Sequence, residues 1–149
     1  MAGIPERVRA DMTAAMKARE ASLRDTLRLL VAALDNARIA AGHPLDDDEA
    51  VRALQREARQ RRDSIAEYRK ANREDLAARE DYELGVIETY LPQALGEDDL
   101  KALARATIEE VGAAGPGDLG KVMGPLMARI AGRADGKRAN EIVRELLTG

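Results

Sequence analysis

The side chains that most often perform catalysis are scarce in this sequence. It has no Cys, one His (His43) and only two serines, Ser22 and Ser64. Without Cys there is no thiol nucleophile, disulfide or thiolate zinc site, and a single His excludes a multi-His metal centre. A Ser–His–acid triad would have to combine one of the two serines with His43. We therefore expect no catalytic residue, no metal site and no cofactor in this chain.

Two further features do not have the pattern of a metal site. His43 lies in a Gly–His–Pro loop without a carboxylate, Cys or second His at ligand spacing, and it is predicted to be an exposed loop residue. The acids at 46–49 lack the glycine and the spacing of an EF-hand. Four acids in succession instead suit the first turn of a helix, where they complement the helix dipole.

Arginine and lysine are the side chains best placed to do chemistry here, by binding phosphate. Eight basic residues and three acids lie between Arg52 and Arg73, a local charge of +5. Within this segment Arg52, Arg56 and Arg59 follow one side of a predicted helix, and Arg62 lies one residue off that spacing. Guanidinium groups bind phosphate oxygens through two parallel hydrogen bonds. The alternatives are a solvated helix face and ion pairing with the acids at 74–83.

A second basic cluster lies near the C-terminus. Six basic residues and two acids between Lys121 and Arg144 give a charge of +4. The turn at 132–137 leads into the last predicted helix, whose N-terminal amides can bind an anion. The cluster's candidate phosphate ligands are Lys121, Arg133, Lys137 and Arg138. The alternative interpretation is structural, with Asp135 capping the helix and the glycines forming the turn.

Helices must position all of these side chains. Apolar residues recur at helical spacing along almost the whole chain, and we find no strand pattern. The third helix opens at the acids of 46–49 and runs to about Ala71. Its apolar stripe is thin, and Arg61 stands where a packed helix normally has an apolar residue. Ser22 is a possible N-cap of the second helix. The predicted fold class is all-α.

The clearest boundary lies at Leu91–Pro92, because proline disfavours helix in the residue before it. Residues 1–95 are predicted to form an N-terminal bundle of long helices. Residues 96–149 are predicted to form a compact C-terminal domain of three short helices with dense apolar faces. Because the apolar faces of the helices in residues 1–95 are sparse, an alternative is that a protein partner completes the packing of this part.

Net charge and length restrict the location and the partners. The chain has 149 residues and a net charge of −3, so it is not a protein that coats nucleic acid non-specifically. Its three tyrosines are its only aromatic residues, which favours contact with folded RNA through phosphates over stacking on loose bases. No apolar run suits a signal peptide or a membrane span. We expect a cytoplasmic protein without membrane contact.

Several motifs, taken in order along the chain, resemble those of the GatB/YqeY domain family. The most specific are Asp118–Leu–Gly–Lys–Val–Met–Gly124, Gly132–Arg–Ala–Asp–Gly136 and Asn140–Glu–Ile–Val143. Others lie at 26–30, 60–65, 68–70 and 88–92. One departure is Gly96, where related chains commonly have Ser or Thr. Glycine is an adequate helix cap, so this departure leaves the resemblance intact.

The resemblance implies a free-standing relative of the tail of the aspartyl/glutamyl-tRNA amidotransferase B subunit. That tail has two all-helical subdomains and is implicated in engaging the tRNA body. The family label would be a carbon–nitrogen ligase with glutamine as amido-N-donor, but this chain lacks a glutaminase nucleophile set and an ATP-binding loop. Whether the free-standing protein is an enzyme is left open by the sequence.

Three hypotheses follow. The first is a non-catalytic module that binds tRNA or another structured RNA through the phosphate ligands Arg56, Arg59, Arg62, Lys121, Arg133, Lys137 and Arg138. The second is an auxiliary of a tRNA-dependent amidotransferase. The third is a protein-interaction module, which is motivated by the interruption of the third helix's stripe at Arg61.

Overall fold

The computed structural model describes residues 2–149, and within them the chain is all-α without a strand. The predicted fold class is therefore confirmed. The helices are α1 (Ile4–Ala18), α2 (Ala21–Ala41), α3 (Asp47–Lys70), α4 (Glu74–Glu88), α5 (Glu97–Val111), α6 (Leu119–Ile130) and α7 (Gly136–Thr148). A single 3-10 turn at Pro116–Asp118 leads into α6.

The described chain forms two compact units that meet between Pro92 and Gln93. Residues 93–95 belong to the second unit because two hydrogen bonds attach them to the α6–α7 turn. The Leu95 amide donates to the Arg133 carbonyl (2.9 Å), and Arg133 Nε donates to the Gln93 carbonyl (2.8 Å). The division of the compact units thus lies within the segment 92–96 that the sequence marks as a boundary, three residues before the predicted end of the N-terminal part at residue 95.

The first unit packs α1–α4 around a core of aliphatic residues. Its largest fully buried side chains are Val8, Leu27, Leu30, Leu54 and Ile87. α3 lies along α4, and α1 lies along α2. Ser22 is not the N-cap of α2, since α2 begins at Ala21 and Glu20 occupies the cap position. Ser22 lies inside the first turn, where its carbonyl accepts a hydrogen bond from the Thr26 hydroxyl.

The acids that precede α3 organise two helix N-termini. Asp46 caps α3 by accepting from the Glu49 amide (2.8 Å), while Glu49 accepts from the Asp46 amide, so the two form a capping box. Asp47 accepts from the Ile4 amide (2.8 Å) and thus caps α1 from 43 residues away. These carboxylates interact favourably with the positive ends of the helix dipoles. They also accept hydrogen bonds from backbone amides that have no partner within their own helix.

Arg61 points into the α3–α4 interface, where its side chain is only 11% exposed. It donates to Glu57 on its own helix (2.9 Å) and lies 4.0 Å from Glu80 and Glu83 of α4. Carboxylates of the chain itself therefore compensate the charge of Arg61, which interrupts the apolar stripe of α3. This contact removes the sequence-based reason for a partner at that position.

The second unit packs α5, α6 and α7 around Leu126, Ile130, Ile142 and neighbouring residues. α6 contains Gly120, Gly124 and Pro125, which are poor helix formers. Its helical state therefore depends on the apolar face that it buries. Met123 is only partly buried, so it contributes less to this core than its spacing suggested.

We predict that residues 93–149 fold without the rest of the chain, marginally so because the unit is small. The Leu126→Ala variant should lose about 2–5 kcal/mol of stability, since Leu126 is fully buried. The matched Met127→Ala variant, one residue on and exposed, should lose far less. Circular dichroism of the fragment and its variants measures both effects. A random-coil spectrum of the unmutated fragment in the cold would contradict independent folding.

We also predict that Glu83 makes the stability of the chain depend on pH. Burial raises the pKa of Glu83, helped by the neighbouring Glu80, while Arg61 and Arg79 act in the opposite direction. The folded state therefore binds this proton more tightly than the unfolded chain, whose Glu pKa is about 4.3. Stability should fall as the pH rises from about 4.3 through the raised pKa.

The Glu83→Gln variant should lack this decline, so its stability relative to the wild type should increase with pH. Urea unfolding at a series of pH values measures the difference. Glu67→Gln, an exposed position on α3, is the matched control and should follow the wild type. Parallel curves for wild type and Glu83→Gln would contradict the prediction.

Candidate nucleic-acid interface

Three arginines form a short basic row on the solvent side of α3. Arg52, Arg56 and Arg59 are spaced by four and three residues, so they lie above one another on one face. That face is opposite the buried side, which carries Ala50, Leu54 and Ala58 at the same level. The row spans about 10 Å along the helix.

The three arginines of this row are free of ion pairs with any of the described residues. Asp48 and Asp63 lie on the same face, one turn before and one turn after the row. The row is thus a compact patch of three guanidinium groups. Arg52 is not among the sequence-predicted phosphate ligands, but its spacing of four residues from Arg56 identifies it as part of the row.

The remaining basic residues of α3 and the α3–α4 turn have acidic neighbours. Arg62 lies 3.7 Å from Glu88 of α4, and both side chains are about half exposed. Arg69 pairs with Glu74, Lys70 with Glu67, and Arg73 with Asp75. The alternative interpretation, ion pairing with the acids of α4, therefore describes the C-terminal half of the helix. It does not describe the row.

In the second unit the basic side chains near the start of α7 have different environments. Asp135 caps α7 by accepting from the Lys137 amide (3.2 Å), as the structural interpretation of this turn required. The side chains of Lys137 and Lys121 are exposed, and neither makes an ion pair within residues 2–149. These two ammonium groups are the unit's available cations among the candidates.

Arg138 is held by three carboxylates. It donates to Glu97 at the start of α5 through Nε (2.9 Å) and again through a terminal nitrogen. Glu141 and Glu145 of α7 lie 3.2 and 3.8 Å away. The hydrogen bond from Arg138 lowers the pKa of Glu97, and the same bonds raise that of Arg138. Arg138 ties α7 to α5, so its charge is largely compensated.

Arg133 is likewise engaged in the fold. Its Nε donates to the Gln93 carbonyl and its own carbonyl accepts from the Leu95 amide. Arg129, outside the candidate set, donates to the buried Thr107 hydroxyl (3.0 Å) and pairs with Glu110. Some of the basic residues that give this segment its charge of +4 are therefore engaged in hydrogen bonds and ion pairs that hold the unit together.

His43 is half exposed, as expected for a loop residue, but it has an acidic neighbour. Its Nε2 lies 3.4 Å from Glu49 Oε2. This neighbour, six residues along the chain, is brought to the loop by the capping box, in which Glu49 folds back towards Asp46. Within residues 2–149 no group of three or more acidic, His or Cys side chains is placed to hold a metal ion.

The fold and these patches define an all-α protein of two helical units with small basic surfaces. The family described as Yqey-like protein matches residues 5–147. The chain belongs to this YqeY family, and the resemblance to the GatB/YqeY family is thereby confirmed.

Three relatives of the chain carry one name. The chain is 31% identical over 145 residues to "Altered inheritance of mitochondria protein 41, mitochondrial" of Pyrenophora tritici-repentis, a match that covers 95% of this chain and 79% of that protein. Proteins of the same name from Vanderwaltozyma polyspora and Lachancea thermotolerans are each 37% identical over 54% and 56% of this chain. Those matches cover 44% and 45% of the two relatives, less than half of their length.

The expectation of a cytoplasmic location is contradicted by these relatives, whose names describe them as mitochondrial. It rested on the lack of an apolar leader. Mitochondrial transit peptides are amphipathic and rich in arginine rather than apolar, so that criterion does not separate the two compartments. In the described part of the chain, no helix combines the length and the apolarity that crossing a membrane requires.

We predict that Arg138 and Lys137, adjacent in sequence, differ in their effect on stability. Arg138→Gln should lower the melting temperature because it removes the donors that join α7 to Glu97 of α5. Lys137→Gln should leave the melting temperature unchanged or raise it, since its charge opposes the dipole at the start of α7. Thermal unfolding followed by circular dichroism compares the two variants.

The cost of Arg138→Gln should also depend on pH. The pKa of Glu97 is lowered in the folded state, so this pair stabilises the fold above the unfolded pKa and ceases to do so as the pH falls below about 4. The two variants should therefore converge in acid. Equal melting temperatures at neutral pH would contradict the role of Arg138.

Proposed function

We propose that this protein is a non-catalytic module that binds tRNA or another structured RNA through phosphate contacts. The observation that carries the proposal is the row of three arginines on the outer face of α3, which form no ion pair with the described residues. Guanidinium groups arranged in this way are suited to successive phosphates of one strand. The resemblance to the amidotransferase tail, which engages the tRNA body, supports the same class of ligand.

The proposed ligands divide by their surroundings. In the first unit Arg52, Arg56 and Arg59 are the principal contacts, and Arg62 is a weaker one because Glu88 competes for it. In the second unit Lys121 and Lys137 are the available cations. Arg133 and Arg138 contribute only as far as their bonds within the protein allow. Contacts of this kind fix position and affinity without reading base sequence.

For the alternative, an auxiliary of a glutamine-dependent carbon–nitrogen ligase, the described residues offer no catalytic arrangement of their own. Ser22 is exposed in the first turn of α2, and Ser64 is half-buried on α3. The polar neighbours of the His43 ring are the Pro44 carbonyl and Glu49, so His43 is not arranged as a base towards either serine. The role we propose is binding.

Neutralising the row tests the proposal. The triple variant Arg52→Gln, Arg56→Gln, Arg59→Gln should weaken binding of folded tRNA and make its salt dependence shallower. Each lost phosphate contact changes the log–log slope by about 0.9 for duplex-like nucleic acid, so three contacts change it by about 2 to 3. Fluorescence anisotropy at several salt concentrations gives both quantities.

The matched control is Arg69→Gln, Lys70→Gln, Arg73→Gln, which removes the same charge from the end of α3 and the turn after it. Its salt slope should stay close to that of the wild type, because these residues already have acidic partners. Lys121→Gln with Lys137→Gln tests the second unit in the same way. Superimposable titrations for wild type, row variant and control would refute RNA binding by the row.

A further inference from the structure

A groove crosses the first unit between α1, the start of α2 and the end of α4. Its volume is about 400 Å³. Apolar side chains line it from all three helices, with Ala14 and Ala18 on α1, Leu23 and Leu27 on α2, and Val86 on α4. None of the five is charged, and the two alanines are exposed to solvent. The groove is an apolar channel that the unit itself leaves open.

The width of this groove follows from the small side chains of α1. Ala14 and Ala18 are four residues apart, so they stand on the same face of the helix. Methyl side chains on that face let a second backbone approach closely, as in helix packing by ridges and grooves. Asp11 to Ala18 spans about 10 Å, which matches two turns of a helix lying alongside.

The polar rim of the groove is acidic. Asp11 and Glu20 both line it, and both are exposed. The Tyr90 hydroxyl donates to Asp11 Oδ2 (2.5 Å) and fixes that carboxylate at the rim. A carboxylate accepts several hydrogen bonds, so Asp11 can take further donors. Arg7 stacks over the Tyr90 ring, and Lys17 and Arg19 flank Ala18 in sequence, but the described residues that line the groove include no basic one.

Helix dipoles add to this negative character. α1 ends at Ala18 and α4 at Glu88, both beside the groove, and helix C-termini carry partial negative charge. α2 begins there and offsets one of the two ends. An anionic chain such as RNA is disfavoured in this groove, whereas lysine or arginine side chains are favoured at its margins.

We propose that the groove is the docking site for a basic amphipathic helix of another protein. The apolar face of that helix enters between α1, α2 and α4, as in other helix-in-groove complexes. Its lysines or arginines reach Asp11 and Glu20. The groove shares no residue with the α3 row, so this proposal and the RNA-binding proposal can fail separately.

The test uses the full-length protein and two synthetic peptides of about 18 residues, enough for some five helical turns. Both have a leucine and alanine face. One carries lysines along the margins of that face, and the other carries glutamates at the same positions. Fluorescence anisotropy should show binding of the lysine peptide at concentrations of about 100 µM or below, and at least tenfold weaker binding of the glutamate peptide.

Variants locate the binding. Ala14→Tyr should weaken binding of the lysine peptide at least tenfold, because the larger side chain fills the groove. Its control is Ala10→Tyr, one turn earlier on α1 and outside the groove. Glu20→Lys should weaken binding about fivefold, as expected for reversing an exposed charge, whereas Glu109→Lys in the second unit should not. All four positions are exposed, and circular dichroism verifies that each variant is folded.

Three results would overturn the proposal. They are no binding of the lysine peptide, equal binding of both peptides, and loss of affinity that is the same for Ala10→Tyr as for Ala14→Tyr. A fourth comes from sedimentation of the protein alone. If the wild type dimerises and Ala14→Tyr abolishes the dimer, the occupant is a second copy of this chain and not a different protein.

Discussion

The charge of Arg61, whose side chain is only 11% exposed between α3 and α4, constrains how these two helices pack. A guanidinium in a helix interface is tolerated only when carboxylates surround it, because an unpaired buried charge is strongly destabilising. Glu57, Glu80 and Glu83 meet this requirement. Arg61 faces α4, and together with the buried Ala50, Leu54 and Ala58 it sets the rotation of α3 about its axis.

The position of the basic row follows from that rotation. Arg52, Arg56 and Arg59 lie on the side of α3 opposite the core, where the acids of α4 do not reach them. Arg69 and Arg73, near the other end, lie close to Glu74 and Asp75 and are compensated. Residues of one type in one segment thus differ in electrostatic environment according to their neighbours in space.

Three arginines of the second unit hold its segments together. Arg138 links α7 to the start of α5, Arg129 reaches the buried Thr107 hydroxyl, and Arg133 retains the incoming segment. A small unit with a helix as poor in intrinsic propensity as α6 benefits from such cross-links. Only Lys121 and Lys137 remain available for a ligand among the candidates.

The sequence by itself determined the fold class, the approximate helices and the family, because these depend on local periodicity, caps and motif order. The Asp46–Glu49 cap and the Asp135 cap are local in the same sense. Ionic neighbours are not local: Arg138 finds Glu97 across 41 residues, and Arg61 finds Glu83 across the α3–α4 turn. Which arginines are free was therefore decided by tertiary packing, since a charge is compensated by whatever the fold brings within a few ångströms. The groove between α1, α2 and α4 likewise depends on tertiary packing, because each of the three helices supplies only one of its walls.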